Sequence, residues 1–337
     1  MKVSVVVPCR NEKANIKPTI QAIYKSGRCL NADFEVLVID GDSDDGTQEV
    51  LIELGKEYLN LKVVQNEKRI TPVAFNLGIK NSKGKYIQIV GARQIISENY
   101  LSEAIAFLEK NEKVWCVGGK VINNFSNYKS QIIANAMSSP FGMGGDNFRV
   151  VKHTAEVDTV GTPMYPAHVF NKVGFFDELL VRNQDDEFNY RVRKAGGKIF
   201  ILHNIYIRYL VRAEYRKLYK QYFQYGYWKV FVNKKHHAIT TLRQLVPALF
   251  ILFIVLGGLL STFIPQFTYL YWFGCISYGL LHMYFSLKDS NRLKEFFMVG
   301  YAFLVIHFGY GLGYLKGILD FLILRKEPSN KQMKLTR

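Results

Sequence analysis

The alternation of apolar and polar positions divides this chain near residue 240. Ahead of that point, short β-branched runs alternate with stretches of helical spacing. Val3–Val7 reads as a strand, and Asn15–Tyr24 as a helix with Ile16, Ile20 and Ile23 on one face. Phe34–Ile39 is the next strand, Gly46-Thr47 opens a helix over Gln48–Tyr58, and Leu61–Val64 and Tyr86–Val90 are two further strands. Period-2 runs alternating with period-3.6 runs predict an α/β domain with a mainly parallel central sheet. No GxGxxG follows the first strand, which argues against a dinucleotide-binding domain. From Asn123 to Val160 neither period is clear. That stretch holds a glycine-rich segment with a proline, Ser138–Phe148 (SSPFGMGGDNF), read as a loop that either shapes a binding site or simply covers the surface.

After Thr240 the pattern turns apolar. The region 245–324 is expected to be membrane-associated through three hydrophobic segments, 245–264, 267–287 and 296–315. The first two carry no charge and are separated only by Pro265-Gln266. Tyr269, Tyr271 and Trp272 suit a membrane interface. Lys316 and Asp320 interrupt the apolar run that continues to Leu324, and a basic tail occupies 325–337. Three full crossings from a cytoplasmic domain would put that tail outside, against the positive-inside tendency, so a re-entrant or interfacial last segment is the alternative. Gly309, Gly313 and Gly317 lie four apart, which permits close helix packing or, alternatively, a bend.

Composition sharpens this division. Of 337 residues 49% are hydrophobic and 14% aromatic, enough for a sizeable core and against disorder. The formal net charge is +16, and between Arg191 and Arg243 the only acid is Glu214 among basic residues that include Arg208, Arg212, Arg216, Lys217, Lys220 and Lys229. A basic stretch just before apolar spans marks a cytoplasmic face against anionic lipid, and 205–240 is expected to be a basic amphipathic interface segment closing a domain over 1–240. No nucleic-acid-binding motif accompanies the charge. Cys9, Cys29, Cys116 and Cys275 are scattered, which suggests neither zinc nor a disulfide framework and fits a reducing compartment. The N-terminus enters a strand without a basic head and apolar signal segment, so attachment is expected from the C-terminal part.

The candidate chemistry begins where the first two strands end. Val5–Glu12 reads VVVPCRNE and Val36–Thr47 reads VLVIDGDSDDGT. Strands side by side deliver such turns to one crevice, where open α/β sheets bind ligands. In this order the two segments resemble the nucleotide-sugar half of family 2 glycosyltransferases with a GT-A fold. The resemblance implies that Asp40 accepts from a ring N–H or a ribose hydroxyl, with Pro8, Arg10, Glu12 and Asp42 lining the donor site. Asp44 and Asp45 read more simply as caps of the following helix. The next element, Arg69–Ile79 (RITPVAFNLGI), matches a helix after a basic turn. Lys68 or Arg69 would approach the diphosphate there, and Asn76 matches a family Asn.

At one position the resemblance fails. Family members follow the strand equivalent to Tyr86–Val90 with Asp-x-Asp or Asp-x-His, whose carboxylates hold Mg²⁺ or Mn²⁺ against the leaving diphosphate. Here the strand meets Gly91-Ala92-Arg93, which offers a hard cation no side-chain oxygen. Three readings are open. Arg93 pairs with the phosphates in place of a metal; another carboxylate holds the metal; or the chain no longer catalyses. No cofactor is therefore assigned.

Asn183–Gly197 (NQDDEFNYRVRKAGG) matches the family's acidic motif with Gln184 in place of the first Glu. The match aligns Asp185 with the general base, with Asp186 and Glu187 on the acceptor side, orienting neighbours or capping a helix. An acidic helix start favoured by the helix dipole is the alternative for these carboxylates taken alone, and it is weakened by GFFDELLVRNQDDE as a unit, since FDE followed by an acidic motif is characteristic of the family's acceptor side. Gln221–Lys229 (QYFQYGYWK) resembles the Gln-x-x-Arg-Trp motif of processive synthases, through Gln224 and Trp228, with Tyr227 at the Arg position. The likeness is nearest to membrane-bound succinoglycan-type exopolysaccharide glucosyltransferases. It implies an inverting, multi-pass enzyme of the cell membrane that takes a sugar from a nucleoside diphosphate, expected to be UDP, and gives it to a lipid-linked or growing saccharide on the cytoplasmic side. An inactive membrane subunit supporting a partner enzyme and a processive synthase are the rival readings. A homo-oligomer is compatible with the sequence.

Overall fold

The computed structural model describes residues 1–30, 32–125, 127–144, 153–211 and 213–328. Arg212, the end of the glycine-rich segment (145–148) and most of the basic tail (329–337) lie outside the described residues. The elements run β1 (Val3–Cys9), α1 (Lys13–Gly27), β2 (Phe34–Asp40), α2 (Thr47–Glu57), β3 (Leu61–Gln65), α3 (Thr71–Asn81), β4 (Tyr86–Ile89), β5 (Gln94–Ile96), α4 (Tyr100–Lys110) and β6 (Val114–Asn124). They continue with α5 (Tyr128–Ser138), α6 (Pro140–Met143), β7 (Ala155–Glu156), β8 (Met164–Pro166), α7 (His168–Val173), α8 (Gln184–Lys194) and β9 (Lys198–Leu210). The last are α9 (Tyr215–His236), α10 (Val246–Leu252), α11 (Gly258–Phe263), α12 (Pro265–Lys288) and α13 (Leu293–Gly317). Two compact units result, one of residues 1–123 and 146–210, the other of 124–145 and 211–337.

The first unit is an α/β domain around a nine-stranded sheet in the order β3-β2-β1-β4-β8-β6-β9-β5, with β7 on β9. The expected parallel sheet is found across β3-β2-β1-β4. Beyond β4 the pairings of β8 with β4 and β6, and of β9 with β5 and β7, are antiparallel, so the whole sheet is mixed. Both faces of β1 and β2 are buried, which is why their sequences are almost continuously apolar. Val3, Val5, Val7, Val36 and Val38 join one core with Ile16, Ile20 and Ile23 of α1. Val6, Leu37 and Ile39 join the other with Ala74 and Phe75 of α3 and Phe188 of α8. Gly78 brings α3 close to the sheet, since a side chain there would run into Val6.

The second unit is helical. The boundary at residue 210 falls before the expected end of the first domain, because 205–210 complete β9 and α9 packs with the later helices. The described part of the glycine-rich segment is not a loop. Ser138 closes α5, and Pro140–Met143 form α6, whose Phe141 stacks on Phe285 and meets His307 and Phe303 edge-on. Two helical stretches, Leu242–Phe263 and Leu293–Ile323, are long and apolar enough to cross a membrane. Between them α12 covers the second apolar segment as one helix of 24 residues. Gly309, Gly313 and Gly317 form a packing seam. Side chains at Gly313 and Gly317 would collide with the backbone oxygens of Phe223 and Tyr227, and one at Gly309 would press on that of Tyr219, so α9 and α13 touch along their backbones. The seam, and not a bend, accounts for the spacing of four.

Candidate active site

The turns after β1 and β2 are stitched together by their own polar side chains. The Asn11 backbone N–H donates to Ser43 Oγ at 2.8 Å, and Asn11 Nδ2 donates to Asp44 Oδ1 at 2.8 Å. Lys13 N–H donates to Asp45 Oδ2 at 3.2 Å, while Asp45 Oδ1 accepts from Thr47 N–H at 3.0 Å, at the start of α2. Asp45 therefore braces the start of α2, close to the capping reading, whereas Asp44 ties the turn to Asn11 and does not cap. Asp40 is fully buried. Its Oδ1 accepts from Ser43 Oγ at 2.5 Å and its Oδ2 from Gln48 Nε2 at 3.0 Å, so the carboxylate is braced from both sides. Pro8 is half-buried in register with Ile39, and the Arg10 stem lies over Gly41, where a Cβ would come within 3.1 Å of Arg10 Cδ.

The basic residues of this rim already have carboxylate partners. Arg93 Nε donates to both Glu12 oxygens, at 2.8 and 2.7 Å, and Glu12 also accepts from Asn15 Nδ2 at 2.9 Å. Arg69 pairs with Asp42, and Lys68 Nζ reaches Glu178 Oε2 at 2.9 Å. Glu12 thus takes the role of partner to Arg93, a contact between residues 81 apart in sequence that no local pattern announces. The Gly91–Gln94 turn is fixed by Gly91 N–H on Gln94 Oε1 at 2.7 Å and by Thr19 Oγ1 on the Ala92 carbonyl at 2.9 Å. Four non-glycine residues around the site, Asn11 (φ 54°), Asp42 (φ 56°), Arg69 (φ 58°) and Asn183 (φ 58°), adopt left-handed backbone conformations. Such strain is tolerated where the surroundings over-determine it, often at functional sites.

Asn76 is placed differently from a donor ligand. It is buried, and its side chain closes on the Phe176–Glu178 loop. Nδ2 donates to Phe176 O at 2.9 Å and to Glu178 Oε1 at 3.2 Å, and Oδ1 accepts from Phe176 N–H at 3.0 Å. Its hydrogen-bonding groups are thus engaged in bracing that loop against α3. The hydrogen bonds from Lys68 and Asn76 hold Glu178 below the usual carboxylate range. From the other side Arg191 of α8 donates to Phe175 O at 2.7 Å and, through Nη2, to Glu187 Oε2 at 2.9 Å; its Nη1 donates to Val173 O. Glu187 is fully buried in that pair, so it orients Arg191 and does not face an acceptor.

Asp185 sits in the first turn of α8, with Asp186 and Glu187. Its surface reaches solvent, yet protein crowds it closely. Loss of solvation, followed by the charge of buried Asp186, raises its pKa above the ordinary carboxylate value, while the Asp186 N–H, its own N–H and Arg182 pull the other way. Asp186 N–H donates to Asp185 Oδ1 at 3.0 Å. Nearby, burial pushes the Tyr165 phenol up, and its O–H donates to Asn189 Oδ1 of α8 at 2.8 Å. A carboxylate with a raised pKa at a helix start is suited to accept a proton near neutral pH.

Gln224, Tyr227 and Trp228 belong to the helical unit. Tyr227 and Trp228 are buried there, packed on Phe321 with ring centroids at 4.7 and 6.1 Å, and Tyr227 O–H donates to Asp320 Oδ2 at 3.1 Å. The two aromatics act as core residues of that unit. Gln224 lies half-buried on the same helix.

A crevice at the ends of parallel strands, a guanidinium where a metal motif is expected and a crowded carboxylate opening a helix describe a group-transfer enzyme of the sugar-nucleotide class. Residues 4–174 match the glycosyl transferase family 2 domain, and the chain belongs to that family. It is a glycosyltransferase, with the GT-A organisation expected of it. It is 31% identical over 77% of its length, and 82% of the relative's, to the dolichyl N-acetyl-alpha-D-glucosaminyl phosphate 3-beta-D-2,3-diacetamido-2,3-dideoxy-beta-D-glucuronosyltransferase of Methanococcus voltae. It is 29% identical over 94% of its length, and 95% of the relative's, to the succinoglycan biosynthesis protein ExoA of Rhizobium meliloti (strain 1021). The solved structure of S. aureus TarS 1-349 resembles it at 21% identity and a TM-score of 0.45, over 67% of this chain and 64% of that one.

The donor set does not fit the divalent cation that such folds imply. Gly91-Ala92-Arg93 supplies a cation where carboxylates are needed, and among the described residues no group of three or more His, Cys, Asp or Glu could hold a metal ion.

Proposed function

We propose that this chain is an inverting, membrane-attached glycosyltransferase that moves a sugar from a UDP-sugar to a lipid-linked or growing saccharide at the cytoplasmic face. The observation that carries this reading is Asp185, an exposed carboxylate in the first turn of α8 beside Asp186. The acceptor hydroxyl gives its proton to Asp185 while its oxygen attacks the anomeric carbon. The bond from that carbon to the diphosphate oxygen breaks, and the nucleoside diphosphate leaves. Arg93 meets the developing charge. Only its Nε is engaged by Glu12 among the described residues, which leaves the two Nη groups for phosphate oxygens. Arg69 and Lys68 reinforce the positive side of the crevice once the donor competes for them. The relatives support the acceptor class, since one is named for a dolichyl-linked phosphate substrate and the other for succinoglycan biosynthesis.

The test is release of nucleoside diphosphate by detergent-purified protein from a panel of nucleotide sugars with native lipid extract, with and without EDTA. Release that survives EDTA and disappears in Asp185→Asn is expected. Release lost to EDTA and restored by Mn²⁺ would overturn the role given to Arg93. Turnover unchanged in Asp185→Asn would overturn the base.

A further inference from the structure

The helical unit fixes the sidedness of the chain. Helix α9 begins shortly after β9 with no apolar span between them, and its charges do not suit a crossing. Arg216, Lys217, Lys220, Lys229, Lys234 and Lys235 are distributed along its 22 residues. Its longest run without Lys or Arg, Gln221–Trp228, is 8 residues, against about 20 for a crossing.

Helix α13 is bound along α9 and runs parallel to it. Tyr215 O–H donates to Met298 O at 3.1 Å, and the Tyr215 ring meets Tyr301 at 4.9 Å. The glycine seam follows, with Gly309, Gly313 and Gly317 on the backbone of Tyr219, Phe223 and Tyr227. Past the seam, Asn233 Nδ2 donates to Tyr314 Oη at 2.9 Å. Asp320, buried, receives Tyr227 O–H together with Lys316 at 2.7 Å and Lys326 at 3.4 Å, and Lys234 reaches Glu327 at 3.8 Å. The apolar residues Val299, Ala302, Phe303 and Ile306 are buried while Leu293, Phe297, Tyr301 and Leu312 stay exposed, so the hydropathy of α13 is answered within the protein on one face.

The hairpin of α10, α11 and α12 is the opposite case. No charged residue lies between Gln244 and Lys288, and Phe263, Tyr269 and Phe273 are 75%, 82% and 71% exposed. We infer that lipid hydrocarbon is the partner of this hairpin alone, that α13 does not cross, and that the C-terminus lies on the same face as the catalytic domain. Arg325 and Lys326 then stay on that face, which removes the conflict with the positive-inside tendency. The inference rests on the membrane attachment proposed above.

The experiment uses the full chain in cells and a membrane-impermeant maleimide. One version keeps exposed Cys29 with Cys275→Ser. A second carries Glu327→Cys with Cys29→Ser and Cys275→Ser. A third carries Ile276→Cys with the same two serines. The expected result is that Cys29 and Glu327→Cys react only after the cells are opened, and that Ile276→Cys reacts only once detergent is added. Reaction of Glu327→Cys in intact cells, with Cys29 protected, would put the two on opposite faces and overturn the sidedness. Reaction of Ile276→Cys in opened membranes without detergent would overturn the embedding. Recovery of the chain in the supernatant after alkaline carbonate extraction would instead remove the attachment itself, a failure distinct from wrong sidedness.

Discussion

The two sides of the proposed active site are prepared in opposite ways. On the donor rim every basic residue assigned to the diphosphate is matched by a carboxylate: Arg93 by Glu12, Arg69 by Asp42 and Lys68 by Glu178. On the acceptor rim the roles reverse. Asp185 is crowded beside Asp186, and the charge of Arg182 offsets only part of the effect. On the proposed reading, the donor rim is self-neutralised until a diphosphate exchanges with its acids, whereas the acceptor rim keeps a carboxylate of raised pKa ready. The exposed pairs Arg69–Asp42 and Lys68–Glu178 are worth only about 0–1 kcal/mol each, so a multiply charged ligand can displace them. A raised carboxylate holds its proton to a higher pH in exchange for greater basicity.

The largest effect should come from the acceptor rim. Asp185→Asn is expected to lower kcat by about 10²–10⁴-fold, the usual contribution of a positioned general base. The acid limb of the wild-type pH–rate profile should fall above the ordinary carboxylate range. Stability should move the other way. A folded pKa above the unfolded one favours the folded state at low pH, and that advantage is lost as pH rises from the ordinary carboxylate value through the raised one. At neutral pH the Asn variant should therefore melt no lower than wild type, and a clear drop in Tm would contradict the crowding.

Arg93→Ala comes next, with kcat expected to fall by about 10²–10³-fold if the guanidinium meets the leaving charge. Arg93→Lys should recover only part, because a point charge cannot serve Glu12 and a phosphate at once. Asn76→Ala would test whether the rims are joined through the Phe176–Glu178 loop. Leaving buried Phe176 groups unpaired should cost about 1–3 kcal/mol in denaturant unfolding. The smallest effect is expected for Glu12→Gln. Removing one competing carboxylate should lower the KM for the nucleotide sugar a few-fold; a rise would show that Glu12 holds Arg93 in place for the donor.

Much of the first half was legible because a parallel sheet covered on both faces writes itself as apolar runs. Val3–Val7, Phe34–Ile39 and the Ile16, Ile20, Ile23 face all fall where the pattern puts them. The antiparallel half was not legible. β5, β7 and β8 are 2–3 residues long, too short to show a period, and β9 lies in a stretch whose basic charges suggested an interface segment. In the site, Asp45 could be read locally because its bond to Thr47 spans two residues, whereas Asp44 is tied to Asn11, 33 residues away. The bond of Arg93 to Glu12 and the hold of Asn76 on Phe176 join distant segments, and periodicity carries no record of them. Tyr227 and Trp228 were misread for a related reason. A short aromatic motif looks the same whether it lines a ligand or packs on Phe321.

The left-handed turns have a consequence for how this enzyme can be changed. Asn11, Asp42, Arg69 and Asn183 each hold a conformation that glycine adopts without penalty. Two of them, Asp42 and Arg69, hold each other there through their ion pair. Replacing either with glycine would relieve the backbone and release the other side chain at the same time. A search for heat-resistant variants would be drawn to these positions, and the variants it kept would be the ones whose crevice had lost its shape.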